Sequence, residues 1–230
     1  MVRTRIAPSP TGYLHVGTAR TALFNFLFAR SNRGAFVVRI EDTDLERSDP
    51  KYETEILESL QWLGIAADES PLKGGPSSSY RQSQRRTAYR PYVERLLASG
   101  QAFRCPHTEA ELKSEQKSLR AEHQPPTHWC SYRDAGATAP PQPGIIRFAA
   151  PRGRTIAFTD LIRGEIRFAS DLLGDFSIAK DLQTPLYNFA VVIDDHEMEI
   201  SHVIRGEDHI SNTPKPVSYT HLTLPTTPYV

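Results

Sequence analysis

Two cysteines in 230 residues are too few for a disulfide framework and fit a reducing compartment better than an oxidising one. No apolar run approaches the ~18 residues that a bilayer span requires. The N-terminal Met-Val-Arg-Thr-Arg runs directly into strand, without the apolar region of a secretion signal, so a cytoplasmic chain with no membrane partner is expected. Net charge is missing as well, because 27 Lys and Arg balance 27 Asp and Glu. Bulk charge therefore gives no argument for a nucleic-acid partner. Its distribution is less even: residues 81–180 carry 16 basic against 10 acidic side chains, and the rest of the chain 11 against 17. A basic middle segment of this kind could hold an RNA backbone, although a solvated basic face gives the same excess. With 39% hydrophobic and 23% charged residues, the chain can bury the core of one large or two small domains.

The most informative stretch is Arg5 to Thr18. A β-type run from Arg3 to Ala7 gives way to Pro8, Pro10 and Gly12, and a helical pattern begins near Thr18 with Ala19, Ala22, Leu23, Phe26 and Leu27. This is the strand, loop and helix of a nucleotide-binding α/β unit. The helix start offers unpaired N–H groups and the positive end of its dipole; Gly17 lets a phosphate approach, and His15 adds an imidazole donor. The turn is suited to the phosphates of ATP.

Further along, Ala35 to Ile40 reads as a second strand, continuously apolar as in a parallel sheet covered on both faces. Asp49-Pro50 starts a helix whose apolar face is Ile56, Leu57, Leu60 and Leu63, and Gly64 stops it. Residues 69–79 are a loop, and Tyr80 to Ser99 predicts a helix that Pro91 should kink or divide. From Gln101 the pattern becomes irregular: a polar helix at Thr108 to Glu122, a Pro-rich loop at 139–144, then short β-like runs at 145–149, 155–159 and 165–170. Tyr187 to His196 predicts a mostly apolar helix, and Ile200 to Asp208 a strand running into a polar turn. Ligands of open α/β sheets bind at the C-terminal strand ends, which collects Arg5 to Ser9, Glu41 and Arg205 at one edge.

Pro8-Ser-Pro-Thr-Gly12, Leu14-His-Val-Gly17 and Ala19-Arg-Thr-Ala-Leu23 follow one another, and Arg39-Ile-Glu-Asp-Thr-Asp44 closes the second strand. This combination resembles the bacterial glutamyl-tRNA synthetases, class I enzymes whose His-Ile-Gly-His motif appears as His15-Val16-Gly17-Thr18, with threonine for the last histidine. The resemblance implies an α/β, Rossmann-like catalytic fold with an inserted α+β connective domain that holds the tRNA acceptor end. The catalytic halves would be residues 1–85 and 187–215, and the insertion residues 86–186.

The activity so implied is ATP-dependent activation of L-glutamate and its transfer to the 3′ end of tRNA(Glu), with Mg²⁺, by a monomer. His15 and Gly17 would be the catalytic positions; Gly12, His15, Gly17, Thr18, Gly206 and Asp208 would face ATP. Glutamate presents an ammonium and two carboxylates, so its seat needs a fixed guanidinium and a fixed carboxylate. Arg5 suits the side-chain carboxylate as a planar fork and Glu41 the ammonium, with Ala7, Ser9, Tyr187 and Arg205 completing the pocket. Arg5 and Glu41 could instead pair across neighbouring strands, and Tyr187 could be core. Thr43, Asp44 and Arg47 would meet the tRNA acceptor.

Some members of the family carry Cys-x-Cys and a later Cys-x-His or Cys-x-Tyr pair in the insertion, a zinc site. Here Cys105, His107, Cys130 and Tyr132 stand at those places, with His128 able to replace Tyr132; two idle buried cysteines are the other reading. The family's Lys-Met-Ser-Lys-Ser ATP loop and its helical anticodon-binding region are not found in this sequence. Residues 216–230, rich in Thr and Pro, show no helical period and are expected to be a non-native or frameshifted tail. On that expectation the chain as written has little aminoacylation activity. A glutamyl-queuosine tRNA(Asp) synthetase and a non-catalytic tRNA-binding fragment are the competing readings. Pro8-Ser-Pro10, where glutaminyl enzymes read Pro-Glu-Pro, disfavours glutamine.

Overall fold

β1 (Arg3–Ile6) and β2 (Ala35–Val38) form a parallel pair, with Arg3 opposite Ala35 and Ile6 opposite Val38. Every residue of both strands is buried, as strands covered on two faces must be. The computed structural model describes residues 1–44, 46–134 and 144–223, the side chains of 208 and 219–223 excepted. The crossover between the strands is α1 (Val16–Ser31). Next comes α2 (Pro50–Trp62), capped by Asp49, whose carboxylate accepts the Lys51 N–H at 2.8 Å, while Pro50 occupies the position where a missing N–H is harmless. Ile6, Ala22, Ala29, Phe36, Val38, Ile56 and Leu60 form the core between this strand pair and its two helices. Val37 points the other way and packs with Tyr80, Met198, Ile200 and Val203.

The helix predicted from Tyr80 is divided, but not at Pro91. A 3₁₀ turn at Gln82–Arg85 leads into α3 (Arg86–Ala98), which runs through the proline. Pro91 lies on the exposed face and removes one donor, to the Thr87 carbonyl, while Tyr89, Val93 and Leu96 anchor the inner face in the core. The helix is held from the side that the proline does not touch.

The middle of the chain builds β3 (Ala102–Cys105), α4 (Glu109–Ala121) with a capping box from Thr108 and Glu111, β4 (Ile145–Phe148), β5 (Thr155–Asp160), β6 (Gly164–Ala169) and β7 (Ser177–Ala179). β3, β4 and β7 pair antiparallel in that order, and β5 and β6 form a separate hairpin. The Pro-rich loop falls almost wholly at 135–143, outside the described residues. α5 (Tyr187–Glu197) buries Phe189 to Asp195 and joins α3 and the three-stranded sheet in one apolar cluster that includes Tyr89, Leu96, Phe148, Ile178 and Val192.

Two elements differ from the expectation. Residues 200–206 form no strand: the Ser201 and His202 N–H groups both go to the Arg3 carbonyl, at 3.0 and 3.2 Å, while Ser201 Oγ accepts the Arg3 N–H at 2.8 Å and Asn25 Nδ2 donates to the Ile204 carbonyl at 2.9 Å, so no regular ladder continues. The chain then makes a 3₁₀ turn at Glu207–Asn212 and enters α6 (Pro214–Thr223), where no helical period was read. Pro214 and Pro216 sit in the first turn, whose N–H groups have no helical partner anyway, and the helix packs on α5 and β5. Residues 224–230 of the expected tail lie outside the described residues.

Candidate functional site

The turn between β1 and α1 is capped by His15 itself. Its Nδ1 accepts the backbone N–H groups of Gly17 at 3.1 Å and Thr18 at 3.4 Å. Two of the N–H groups that the sequence left unpaired at this helix start are therefore taken, a correction to the reading of an open anion nest. With Nδ1 accepting, the neutral ring carries its proton on Nε2, which lies 2.9 Å from Thr18 Oγ1. With that N–H directed at Thr18 Oγ1, the groups left for an anion here are the Thr18 hydroxyl hydrogen and the positive helix end rather than bare backbone. Gly17 has a specific reason to be glycine, since a Cβ there would come within 3.0 Å of the His15 ring.

Arg5, Ala7, Ser9, Glu41, Tyr187 and Arg205 line one cavity of about 550 Å³, together with His15, Gly17, Thr18 and Gly206. The strand ends of β1 and β2 supply the first members, the start of α5 supplies Tyr187, and the segment that Asn25 holds supplies Arg205. Arg205 Nη2 donates to Thr213 Oγ1 at 2.5 Å, which steadies its head at the rim. Arg20, Thr21 and His209 also line the cavity and were not read from the sequence. Gly12 is not among the lining residues, and the side chain of Asp208 is outside the described set.

Arg5 and Glu41 do not pair with each other among the described bonds. Arg5 Nε and Nη2 lie 3.1 and 3.2 Å from the two carboxylate oxygens of Asp195, and Arg39 Nη1 lies 2.7 Å from Asp195 Oδ1. Arg39 Nη2 then donates to Glu41 Oε1 at 3.0 Å. Burial pushes the Glu41 carboxyl up to about 7 against the pull of Arg39 and Arg5. Burial would also raise Asp195, but the guanidiniums of Arg5 and Arg39 outweigh it and hold that carboxyl below the usual range. The negative charge of Glu41, then burial, pushes the Tyr187 phenol up to about 12, so it acts as a neutral hydroxyl.

The neighbouring Asp194 accepts Arg85 Nε at 2.7 Å, Gln82 Nε2 at 2.8 Å and Tyr89 Oη at 3.0 Å, and lies 3.7 Å from Arg39 Nε. Arg85 also pairs with Glu197. Asp194, Asp195, Arg39 and Arg85 were all missed as site or scaffold residues. The signal was present: two consecutive carboxylates in Ala190-Val-Val-Ile-Asp-Asp195 cannot be buried uncompensated in an apolar helix, so guanidiniums had to meet them.

A second cluster lies in the middle region. Donor atoms of Cys105, His107, His128 and Cys130 all fall within 4.8 Å of one another. Cys105 Sγ is 3.3 Å from His107 Nδ1 and 3.6 Å from His128 Nε2, and Cys130 Sγ is 3.6 Å from His107 Nδ1. Two sulfurs and two imidazole nitrogens are the donor set that a tetrahedral zinc takes. Glu115 Oε2 lies 2.6 Å from His128 Nδ1, a carboxylate that fixes the tautomer presenting Nε2 to the cluster. His128 stands in this cluster as the fourth nitrogen or sulfur, and the ring of Tyr132, the other candidate, packs edge-on against His107 at 5.6 Å. The backbone closes in at Gly174, whose φ of +61° and whose 2.7 Å gap from a built Cβ to the His128 carbonyl admit only glycine.

Thr43, Asp44 and Arg47 follow Glu41 on the segment between β2 and α2, outside the cavity lining. Asp44 Oδ2 accepts Arg47 Nε at 2.6 Å in a solvent-facing pair, which holds the Asp44 carboxyl below its usual range. Among the described residues no helix is long and apolar enough to cross a membrane.

Residues 1–230 match the family described as tRNA synthetases class I (E and Q), catalytic domain. The chain is 50% identical over 223 residues to a glutamate–tRNA ligase of Carboxydothermus hydrogenoformans, and 50% identical over 222 residues to one of Bacillus subtilis. Each alignment covers 94% of this chain and 46% of the relative, so the chain spans about half the length of the curated relatives it matches. Its fold superposes with a TM-score of 0.90 and 38% identity on the crystal structure of a glutamate tRNA ligase from Elizabethkingia meningosepticum in complex with its amino acid, covering 100% of this chain and 48% of that one. The strand–turn–helix around His15, the two-strand edge bearing Arg5 and Glu41, and these matches together make the chain a member of the class I tRNA synthetases (E and Q), within their catalytic domain.

Proposed function

We propose that this chain forms the amino-acid and nucleotide seat of a glutamate–tRNA ligase, which activates L-glutamate with ATP and passes it to the 3′ end of tRNA(Glu). One observation carries the reading: Arg5, Glu41 and Arg205 line a single cavity that opens onto His15 and the start of α1. The side-chain carboxylate of glutamate would lie against the guanidinium edge of Arg5, the ammonium against Glu41, and the α-carboxylate toward the phosphate turn. Ser9 and the neutral hydroxyl of Tyr187 would add hydrogen bonds. The glutamate–tRNA ligases among its relatives and the neighbouring structure solved with its amino acid support the same choice.

In the first step the α-carboxylate attacks the α-phosphorus of ATP in line, forming glutamyl-adenylate and releasing pyrophosphate. The chain contributes positioning and charge stabilisation, with no covalent nucleophile. His15, its Nε2–H turning from Thr18 Oγ1 to the ligand or acting through the Thr18 O–H, and the α1 dipole would stabilise the phosphate oxygens, and Gly206 and Asp208 would approach the ribose. Mg²⁺ bound with the nucleotide supplies charge neutralisation on the leaving group. In the second step the terminal 2′-hydroxyl of tRNA takes the acyl group; Thr43, Asp44 and Arg47 would lie along the acceptor, which the middle region, 86–186, would hold. Zinc would sit on Cys105, His107, His128 and Cys130 as a structural brace, since the donor set is closed and carries no chemistry to the cavity. The reading implies a cytoplasmic monomer.

Titration calorimetry of L-glutamate, L-glutamine and L-aspartate into the purified chain tests it. Saturable binding of glutamate, at least tenfold tighter than of the other two and lost in Arg5→Ala, is the expected result. Equal or tighter binding of glutamine would remove the assignment.

A further inference from the structure

Arg5 and Glu41 leave the ends of two different strands, and no described bond joins them directly. What joins them is a buried chain of four side chains. Asp195 takes Arg5 through Nε and Nη2 and takes Arg39 through Nη1; Arg39 in turn donates Nη2 to Glu41. Their exposures are 6% for Arg5, 1% for Asp195, 0% for Arg39 and 3% for Glu41. Asp195 enters from α5, 190 residues from Arg5 in sequence, and only Arg5 and Glu41 of the four line the cavity.

The geometry of the contact decides what Arg5 can still do. A carboxylate gripping Nε and Nη2 occupies one edge of the guanidinium plane and fixes its tilt, leaving Nη1 without a bond among the described residues. Through Arg39, the same carboxylate also sets where the Glu41 oxygen stands. We infer that Asp195 is a positioning residue for amino-acid recognition: it locks the Arg5 guanidinium edge-on and, through Arg39, spaces it from Glu41, so that the two ends of a dicarboxylic amino acid are read at one fixed separation. The inference rests on the reading of the cavity as a glutamate seat. It accounts for selection by length and charge together. With the separation fixed, an acid one methylene shorter would engage one anchor at the expense of the other, and a side-chain amide offers the remaining Arg5 donors a single acceptor oxygen.

The comparison is the adjacent Asp194, equally buried on the same helix, which holds Arg85, Gln82 and Tyr89, meets Arg39 only through Nε at 3.7 Å where Asp195 takes Nη1 at 2.7 Å, and has no described bond to Arg5 or Glu41. Calorimetry of L-glutamate into the Asp195→Asn and Asp194→Asn chains compares them, with circular dichroism confirming both folds. Asp195→Asn is expected to weaken glutamate binding at least tenfold, and Asp194→Asn less than threefold. Equal weakening in both, or retention of affinity in Asp195→Asn, overturns the inference. Should Asp195→Asn not fold, the unsubstituted chain answers through the ¹⁵N resonances of Arg5. The Nε–H signal should be resolved and nearly unmoved by glutamate while Nη1 shifts; a large Nε shift on binding shows Arg5 leaving Asp195 and overturns it. Failure of the unsubstituted chain to bind glutamate at all removes the functional reading and this inference together, an outcome distinct from normal binding with an indifferent Asp195→Asn.

Discussion

Arg39 and Glu41 share a hydrogen bond of 3.0 Å inside the protein, Nη2 to Oε1, with the guanidinium wholly enclosed and the carboxylate only 3% exposed. The pair is unequal in its effect on protonation. Burial drives the Glu41 carboxyl up to about 7, and Asp195 adds to that rise, while Arg39 and Arg5 oppose it. Tyr187, the remaining titratable neighbour, stays neutral.

A pH dependence of ligand binding follows. The ammonium of an amino acid needs Glu41 ionised, so glutamate affinity should rise several-fold from pH 6 to pH 7.5, and binding near pH 6.5 should release protons. Stability moves in the opposite sense. Folding raises the Glu41 pKa from its ordinary value near 4.5, so the folded chain binds more protons between there and about 7, and stability contributed by the protonated carboxyl falls as pH rises through that window. Calorimetry in buffers of different ionisation enthalpy reads the proton release. Glu41→Gln should abolish it and flatten the pH profile; an unchanged profile would show that another group titrates.

Arg85 joins the 3₁₀ turn before α3 to α5 through Asp194 and Glu197. Arg85→Ala leaves Asp194, with 0% exposure, short of its closest cation. A loss of about 3 kcal/mol is expected from removing one partner of a buried pair. Urea unfolding measures it, and a loss under 1 kcal/mol would mean that Gln82, Tyr89 and Arg39 suffice.

Zinc should bind one equivalent per chain, measured by elemental mass spectrometry after gel filtration. Cys105→Ser and His128→Ala should lose it, and chelation should lower the melting temperature. Tyr132→Phe should keep it, because the packing of that ring on His107 survives the loss of the hydroxyl. Gly174→Ala should weaken it, since the added methyl meets the His128 backbone at 2.7 Å. Loss of zinc in Tyr132→Phe with retention in His128→Ala would restore tyrosine as the fourth donor.

Pro91 interrupts the interior of α3 on its exposed face. Pro91→Ala restores one N–H to the Thr87 carbonyl at the expense of some added unfolded-state freedom, and a net gain of about 1 kcal/mol is expected. Thermal unfolding checks the sign, and destabilisation would show that the ring contributes packing.

Some of the site could be read because its causes are local. The proline and glycine breaks after β1, the Asp49-Pro50 start of α2 and the capping box of Thr108 and Glu111 depend on residues within one turn. Others were misread because the same residue types mean different things by position. The Thr- and Pro-rich stretch from Pro216 shows no helical period, yet Pro216 falls in a first turn and 216–223 continue as helix, and 200–206 look like a strand but mix side-chain partners with a doubled bond to the Arg3 carbonyl. Tyr132 and His128 each stand two residues from Cys130, and only the fold brings the His128 nitrogen among the cysteine and histidine donors and lays the Tyr132 ring against His107.

By itself, the sequence determined the strand–turn–helix around His15 and the carboxylate that follows the second strand, because backbone propensity and turn chemistry act over a few residues. Tertiary structure alone decided which charges meet. Arg5 finds Asp195 across 190 residues and Arg39 finds it across 156, and their enclosure makes those pairings strong enough to fix geometry and shift protonation. Charges exposed on isolated segments would be screened by water and would choose no partner.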